Sequence, residues 1–144
     1  MIKVAICDDD IQFIYKLEQS IFRFAEMKRI KVDVDGYTSG AEFIQKLQQS
    51  ERYDLLFLDI ELGDSSGIIV GNWIRSQIQY ESMQIVFVSA KEMYAMQLFD
   101  LRPMNFLVKP IQQERVDYIL DEYERLYQFQ PHICLLYTSP SPRD

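Results

Sequence analysis

The chain has 144 residues, 48% of them hydrophobic, and 22 acidic against 15 basic side chains give a formal net charge of −7. That suffices for one domain with a full core and is too apolar for a disordered segment. An acidic balance with few basic clusters argues against nucleic-acid binding by this stretch itself, and no apolar run reaches the length of a membrane span.

Met1-Ile2-Lys3 opens directly into an apolar run, so no signal peptide fits and a cytoplasmic location is expected. The first strand is expected over 2–7, with Cys7 a small core residue that has no disulfide partner. Asp10 can cap the helix that follows, whose Ile14, Leu17, Ile21, Phe24 and Ala25 fall on one face. Strand two, 31–37, alternates Val32 and Val34 with Asp33 and Asp35, as an edge strand does. Ser39 is placed to cap a helix bearing Phe43, Ile44 and Leu47. The continuous run Leu55-Leu56-Phe57-Leu58 predicts a central strand over 54–59. In the next helix Val70, Gly71, Ile74 and Ile78 share a face, and Ile69 and Trp73 lie opposite, where exposure is expected. Strand four is expected at 84–89, a short helix at 92–100 and strand five at 105–108. A last helix at 112–128 would turn Val116, Ile119, Leu120, Tyr123 and Leu126 inward. Strands alternating with helices imply βαβ units and a parallel sheet.

Each candidate central strand ends in polar chemistry. Asp8 and Asp9 close the first, Asp59 the third, Ser89 the fourth, and Lys109, followed by Pro110, the fifth. In a parallel sheet these ends share one edge, where such folds bind ligands. Asp8 and Asp9 could simply cap a helix, but three successive aspartates exceed that need. Carboxylates about 4 Å apart repel by roughly 4 kcal/mol at an effective dielectric near 20. A hard divalent cation such as Mg²⁺ relieves this and leaves room for phosphate oxygens. Lys109 and Ser89 could hold the remaining oxygens, and Asp59 is the best placed nucleophile for forming an aspartyl-phosphate.

At Asp8-Asp9, Leu58-Asp59-Ile60-Glu61-Leu62, Gly67, Val88-Ser89-Ala90 and Val108-Lys109-Pro110 the chain resembles the receiver domain of two-component response regulators, over roughly residues 1–128. Ile6-Cys7-Asp8-Asp9-Asp10, Asp59-Ile60-Glu61-Leu62 and the stretch from Tyr94-Ala95 to Phe99-Asp100 make it most similar to receivers of the LytR/AlgR type, usually joined to a LytTR DNA-binding domain. The resemblance implies an α/β fold, the flavodoxin-like (CheY-like) doubly wound five-stranded parallel sheet of order 2-1-3-4-5. It implies Asp59 as phosphoacceptor, and Mg²⁺ held by Asp9, Asp59 and the backbone carbonyl of Glu61 directly and by Asp8 mainly through water. Ser89, Ala90 and Lys109 would bind the phosphoryl group, Ser89 and Phe106 would form the switch, and the bond before Pro110 would be cis. Glu61 and Lys91, which border the route of hydrolytic water in such domains, could pair and slow dephosphorylation.

The implied partners are a cognate sensor histidine kinase, a possible homodimer partner, and DNA only through a missing C-terminal output domain, with no membrane contact. The implied protein is a signalling phosphoacceptor rather than an enzyme. A stand-alone receiver acting through protein contacts is the alternative, and a Mg²⁺-dependent aspartyl phosphatase a more distant one. Residues 129–133 would start an interdomain linker. Residues 134–144 resemble the translated mosaic end of a transposase-type sequencing adapter and are expected to be non-native.

Overall fold

In a computed structural model of the protein, residues 1–128 are described, apart from the side chains of 92–95 and 128. The expected linker at 129–133 and tail at 134–144 lie outside the described residues, as do the side chains of Tyr94 and Ala95 that contribute to the LytR/AlgR likeness.

The strands are β1 (Ile2–Cys7), β2 (Val32–Tyr37), β3 (Leu55–Asp59), β4 (Gln84–Ser89) and β5 (Asn105–Val108). All pair in parallel, in the order β2-β1-β3-β4-β5, the expected fold class. Every residue of β3 is buried, which a strand covered on both faces requires. Helices α1 (Ile11–Lys28), α2 (Gly40–Gln48) and α3 (Gly67–Arg75) connect the strands. Asp10 caps α1 by accepting from the amides of Gln12 and Phe13, and Ser39 and Ser66 cap α2 and α3. One core cluster joins Ala5 and Cys7 of β1, Leu56 and Leu58 of β3, and Ile85 and Phe87 of β4 with Phe43 and Leu47 of α2 and Val70 and Ile74 of α3. Strand residues of the other parity, such as Val4, Ile6, Phe57 and Val86, are equally buried on the opposite face.

Residues up to Ile111 make one compact unit and Gln112 begins a second, which is described by itself. There α4 (Gln113–Tyr123) buries Val116, Ile119, Leu120 and Tyr123 and runs into a π-helical turn at Glu124–Gln128.

Several details depart from the sequence pattern. Helix α3 stops at Arg75, so Ile78 falls in a following 3₁₀ turn and is 86% exposed rather than inward. Ile69 is exposed, but Trp73 is half-buried, because its ring packs on Tyr80 with centroids 5.7 Å apart. Ile14 and Leu126 are half-buried. The stretch Glu92–Leu101 winds as a 3₁₀-helix, and its buried Leu98 and Leu101 stand three apart, the spacing that stacks side chains at three residues per turn. Arg75 fastens the end of that stretch: its Nε donates to the Leu101 carbonyl at 2.8 Å and its Nη1 to the Met83 carbonyl at 2.9 Å.

Candidate functional site

Strand register brings the polar ends together. Cys7 lies beside Leu58, Asp59 beside Val88, and Ser89 beside Val108, so the residues that follow β1, β3, β4 and β5 emerge along one rim. One carboxylate oxygen from each of Asp8, Asp9 and Asp59 lies within 4.8 Å of the others, with Asp8 and Asp59 buried and Asp9 exposed. The Asp8 carboxylate is fixed at both ends: Oδ1 accepts from the Asp10 amide at 2.8 Å, and Oδ2 forms an ion pair with Lys109 Nζ at 2.9 Å. Asp59 Oδ1 accepts from the Glu61 amide at 3.1 Å, while its Oδ2 lies 3.6 Å from Lys109 Nζ. The Lys109–Pro110 bond is cis, and the lysine reaches in from that turn to lie between the two buried acids.

Electrostatics follow from this crowding. Burial pushes the Asp59 carboxyl up to about 6; the Asp8 and Asp9 charges add to the rise, and the Glu61 amide and Lys109 offset part of it. Burial pulls the Lys109 ammonium down, but Asp8 and Asp59 beside it outweigh that and hold its pKa above the ordinary lysine value. Three carboxylates meet one ammonium, leaving two negative charges uncompensated. A divalent cation with oxygen ligands fits that deficit and that donor set.

The loop after β3 shapes the rest of the rim. Glu61 turns its side chain outward, where Lys91 Nζ pairs with its Oε2 at 3.1 Å. Gly67 is required by close approach, since a Cβ there would lie 2.1 Å from the Asp59 carbonyl oxygen. A Cβ on Gly63 would lie 3.2 Å from Asp9 Oδ2, so the bare backbone leaves that carboxylate its place. Ser89 is fully buried and its Oγ accepts from the Lys91 amide at 3.0 Å, while Ala90 is exposed. Phe106 is half-buried against the core cluster.

Two contacts at the rim had no signal in the sequence. Phe13 reads as one more apolar residue of α1, yet Lys109 Nζ lies 4.3 Å from its ring centroid. Asp64 reads as a loop charge, yet its carboxylate accepts from the Gly40 and Ala41 amides, each at 3.2 Å, at the start of α2.

Parallel strands in this order, with an acid cluster and a lysine at their carboxyl ends, define the receiver class of domain. Residues 4–121 match the response regulator receiver domain family, and the chain belongs to it. Among curated proteins it is 30% identical over 131 residues to the sensory transduction protein LytT of Bacillus cereus, covering 90% of this chain and 50% of that one. It is 28% identical over 128 residues to the transcriptional regulatory protein YpdB of Escherichia coli, covering 89% and 50%. The chain thus spans about half the length of the curated relatives it matches. Its fold is similar to the response regulatory domain of protein mrkE from Klebsiella pneumoniae, with a TM-score of 0.75 at 23% identity, covering 88% of this chain and 98% of that one. It is also similar to the response regulator protein TrrA of Thermotoga maritima, solved in complex with Mg²⁺-BeF, with a TM-score of 0.69 at 23% identity, covering 85% and 98%. The chain is a receiver domain of a two-component response regulator related to LytT, and so a signalling protein.

Proposed function

We propose that Asp59 accepts a phosphoryl group from a cognate sensor histidine kinase. The observation that carries this is the setting of the Asp59 carboxylate, buried beside Asp8 with the Lys109 ammonium 3.6 Å from its Oδ2. An Asp59 oxygen attacks phosphorus as the bond from phosphorus to the donor nitrogen breaks, and that bond's electron pair stays with the departing imidazole. Asp8, Asp9, Asp59 and the Glu61 carbonyl are the groups that would hold Mg²⁺. When bound, Mg²⁺ neutralises charge on the transferring oxygens. Lys109 leaves Asp8 to meet the new phosphoryl oxygens, Ser89 Oγ turns to donate to them, and the Ala90 methyl leaves them room. Phe106 then follows Ser89 inward, the two residues acting as one switch. The Glu61–Lys91 pair stands at the mouth of the site and slows the water that would remove the phosphoryl group.

The receiver is assigned to 1–128, a linker start to 129–133 and a non-native tail to 134–144. Transcriptional output, in the cytoplasm, would run through a DNA-binding segment other than this one, a reading that the printed name of the YpdB relative supports. A homodimer is a compatible intermediate step.

The test is incubation of the 144-residue protein with acetyl phosphate and Mg²⁺, followed by intact mass measurement of wild type and Asp59→Asn. Wild type gains one phosphoryl group and the variant none. Equal uptake by the variant, or none by wild type, sinks the assignment.

A further inference from the structure

Lys109 does two jobs in the reading above, first pairing with buried acids and then meeting a phosphoryl group, and something must keep its ammonium poised between them. Its nearest anion is Asp8 Oδ2 at 2.9 Å, closer than Asp59 Oδ2 at 3.6 Å. The ammonium thus rests on Asp8 with Asp59 a little farther off, and a third contact borders it. The Phe13 ring lies 4.3 Å from Nζ, the shortest of the described cation–ring contacts and well within the range where a ring's negative face attracts a cation.

The ring's position follows from the same residues that build the acid cluster. Asp8 Oδ1 accepts from the Asp10 amide at 2.8 Å, and Asp10 Oδ1 in turn accepts from the amides of Gln12 at 3.0 Å and Phe13 at 3.4 Å. The first turn of α1 is thereby indexed to Asp8, and Phe13 projects from that turn. Phe13 and Lys109 also line one cavity beside the site, together with Leu17, Ala90, Pro110 and Ile111. The Lys109 side chain is only 23% exposed, and a partly desolvated cation–ring contact is stronger than a fully exposed one.

We infer that Phe13 is a positioning residue for phosphoryl transfer, its ring face confining the Lys109 ammonium, paired with Asp8, within reach of Asp59. The inference rests on the phosphoacceptor reading of Asp59 and adds to it a residue that reacts with nothing itself. A leucine at 13 keeps an apolar side chain but has no negative face, and ring fluorination separates charge from shape more finely.

The experiment replaces Phe13 with mono-, di- and trifluorophenylalanine in the full chain. Fluorines withdraw charge from the ring face while changing its shape little. The rate of phosphorylation by acetyl phosphate is read by intact mass, and unfolding midpoints are measured in parallel. The expected result is a logarithmic rate that falls steadily with each fluorine, with Phe13→Leu about three- to tenfold below wild type. Proton NMR of the unphosphorylated protein reads the contact directly: the Lys109 ε-protons of wild type are shifted upfield by the ring, and Phe13→Leu removes the shift. Where wild type takes up a phosphoryl group, a flat fluorine series, or unshifted ε-protons in the unphosphorylated protein, overturns the role of Phe13 alone. A wild type that takes up no phosphoryl group overturns the Asp59 reading and the role of Phe13 with it.

Discussion

Asp59 is an acid held where its charge is poorly solvated, and its stability signature follows from that. In the metal-free protein its carboxyl titrates near 6 instead of 3.8, burial being the largest cause and Asp8 the next. Below pH 3.8 folded and unfolded chains both carry the proton. Between 3.8 and about 6 the unfolded chain ionises first, so this group's contribution to stability falls as pH rises and is fully lost above about 6. That rise is worth at most about 3 kcal/mol. Asp59→Asn in EDTA should therefore be more stable than wild type at pH 7, by about 1–3 kcal/mol, with the gap closing toward pH 4. Urea unfolding of both proteins across that range checks the sign, and a variant less stable at pH 7 contradicts it. The acid cluster was legible in the sequence because strand ends in a parallel sheet share an edge. Phe13 was not, since a helical apolar residue announces burial but not which cation lies over its ring.

At the scale of elements, the loop between β3 and α3 is tied down at both ends. Glu61 bridges to Ser66, the Gly67 amide donates to the Ile60 carbonyl at 2.7 Å, and Asp64 reaches across to the first amides of α2. Asp64→Ala should remove an anion from a helix N-terminus, lower stability by about 0.5–1 kcal/mol, and weaken Mg²⁺ binding several-fold by loosening the loop that carries the Glu61 carbonyl. Calorimetric titration with Mg²⁺ alongside thermal unfolding separates the two effects. The Glu61–Lys91 contact belongs to the same rim. Lys91→Ala should shorten the phosphoryl lifetime several-fold, as followed by loss of phosphoprotein after donor removal, and a lengthened lifetime excludes the gating role. Strand patterns were less complete guides here. β2 was expected to alternate, yet Asp35 is half-buried because the Tyr53 hydroxyl, from the loop before β3, donates to its Oδ2 at 2.6 Å. A contact between residues 18 apart leaves no trace in a two-residue period.

For the molecule as a whole, a divalent cation held by the acid cluster would make folding and cation binding one equilibrium. Mg²⁺ at about a hundred times its Kd should stabilise the folded state by about 2.7 kcal/mol, a rise of roughly 10 °C in Tm. EDTA should reverse the rise, and Asp9→Asn should abolish most of it. Differential scanning calorimetry with and without the ion decides this, and an unchanged Tm rules out a bound divalent cation. The parallel order of strands was readable in advance because apolar runs and helical periods alternate without interruption. The 3₁₀ winding of Glu92–Leu101 was not, since Leu98 and Leu101 suit a period of 3 as well as one of 3.6.

Arg75 sets how a disturbance at the acid rim can travel. Its two shortest bonds end on Met83, just ahead of β4, and on Leu101, shortly before β5. The stretch between those strands is thus bolted to α3 at its far end, while its near end starts at the buried hydroxyl of Ser89. Were that hydroxyl drawn toward a phosphoryl group, the stretch would swing about one post, most next to the rim and least toward Leu101.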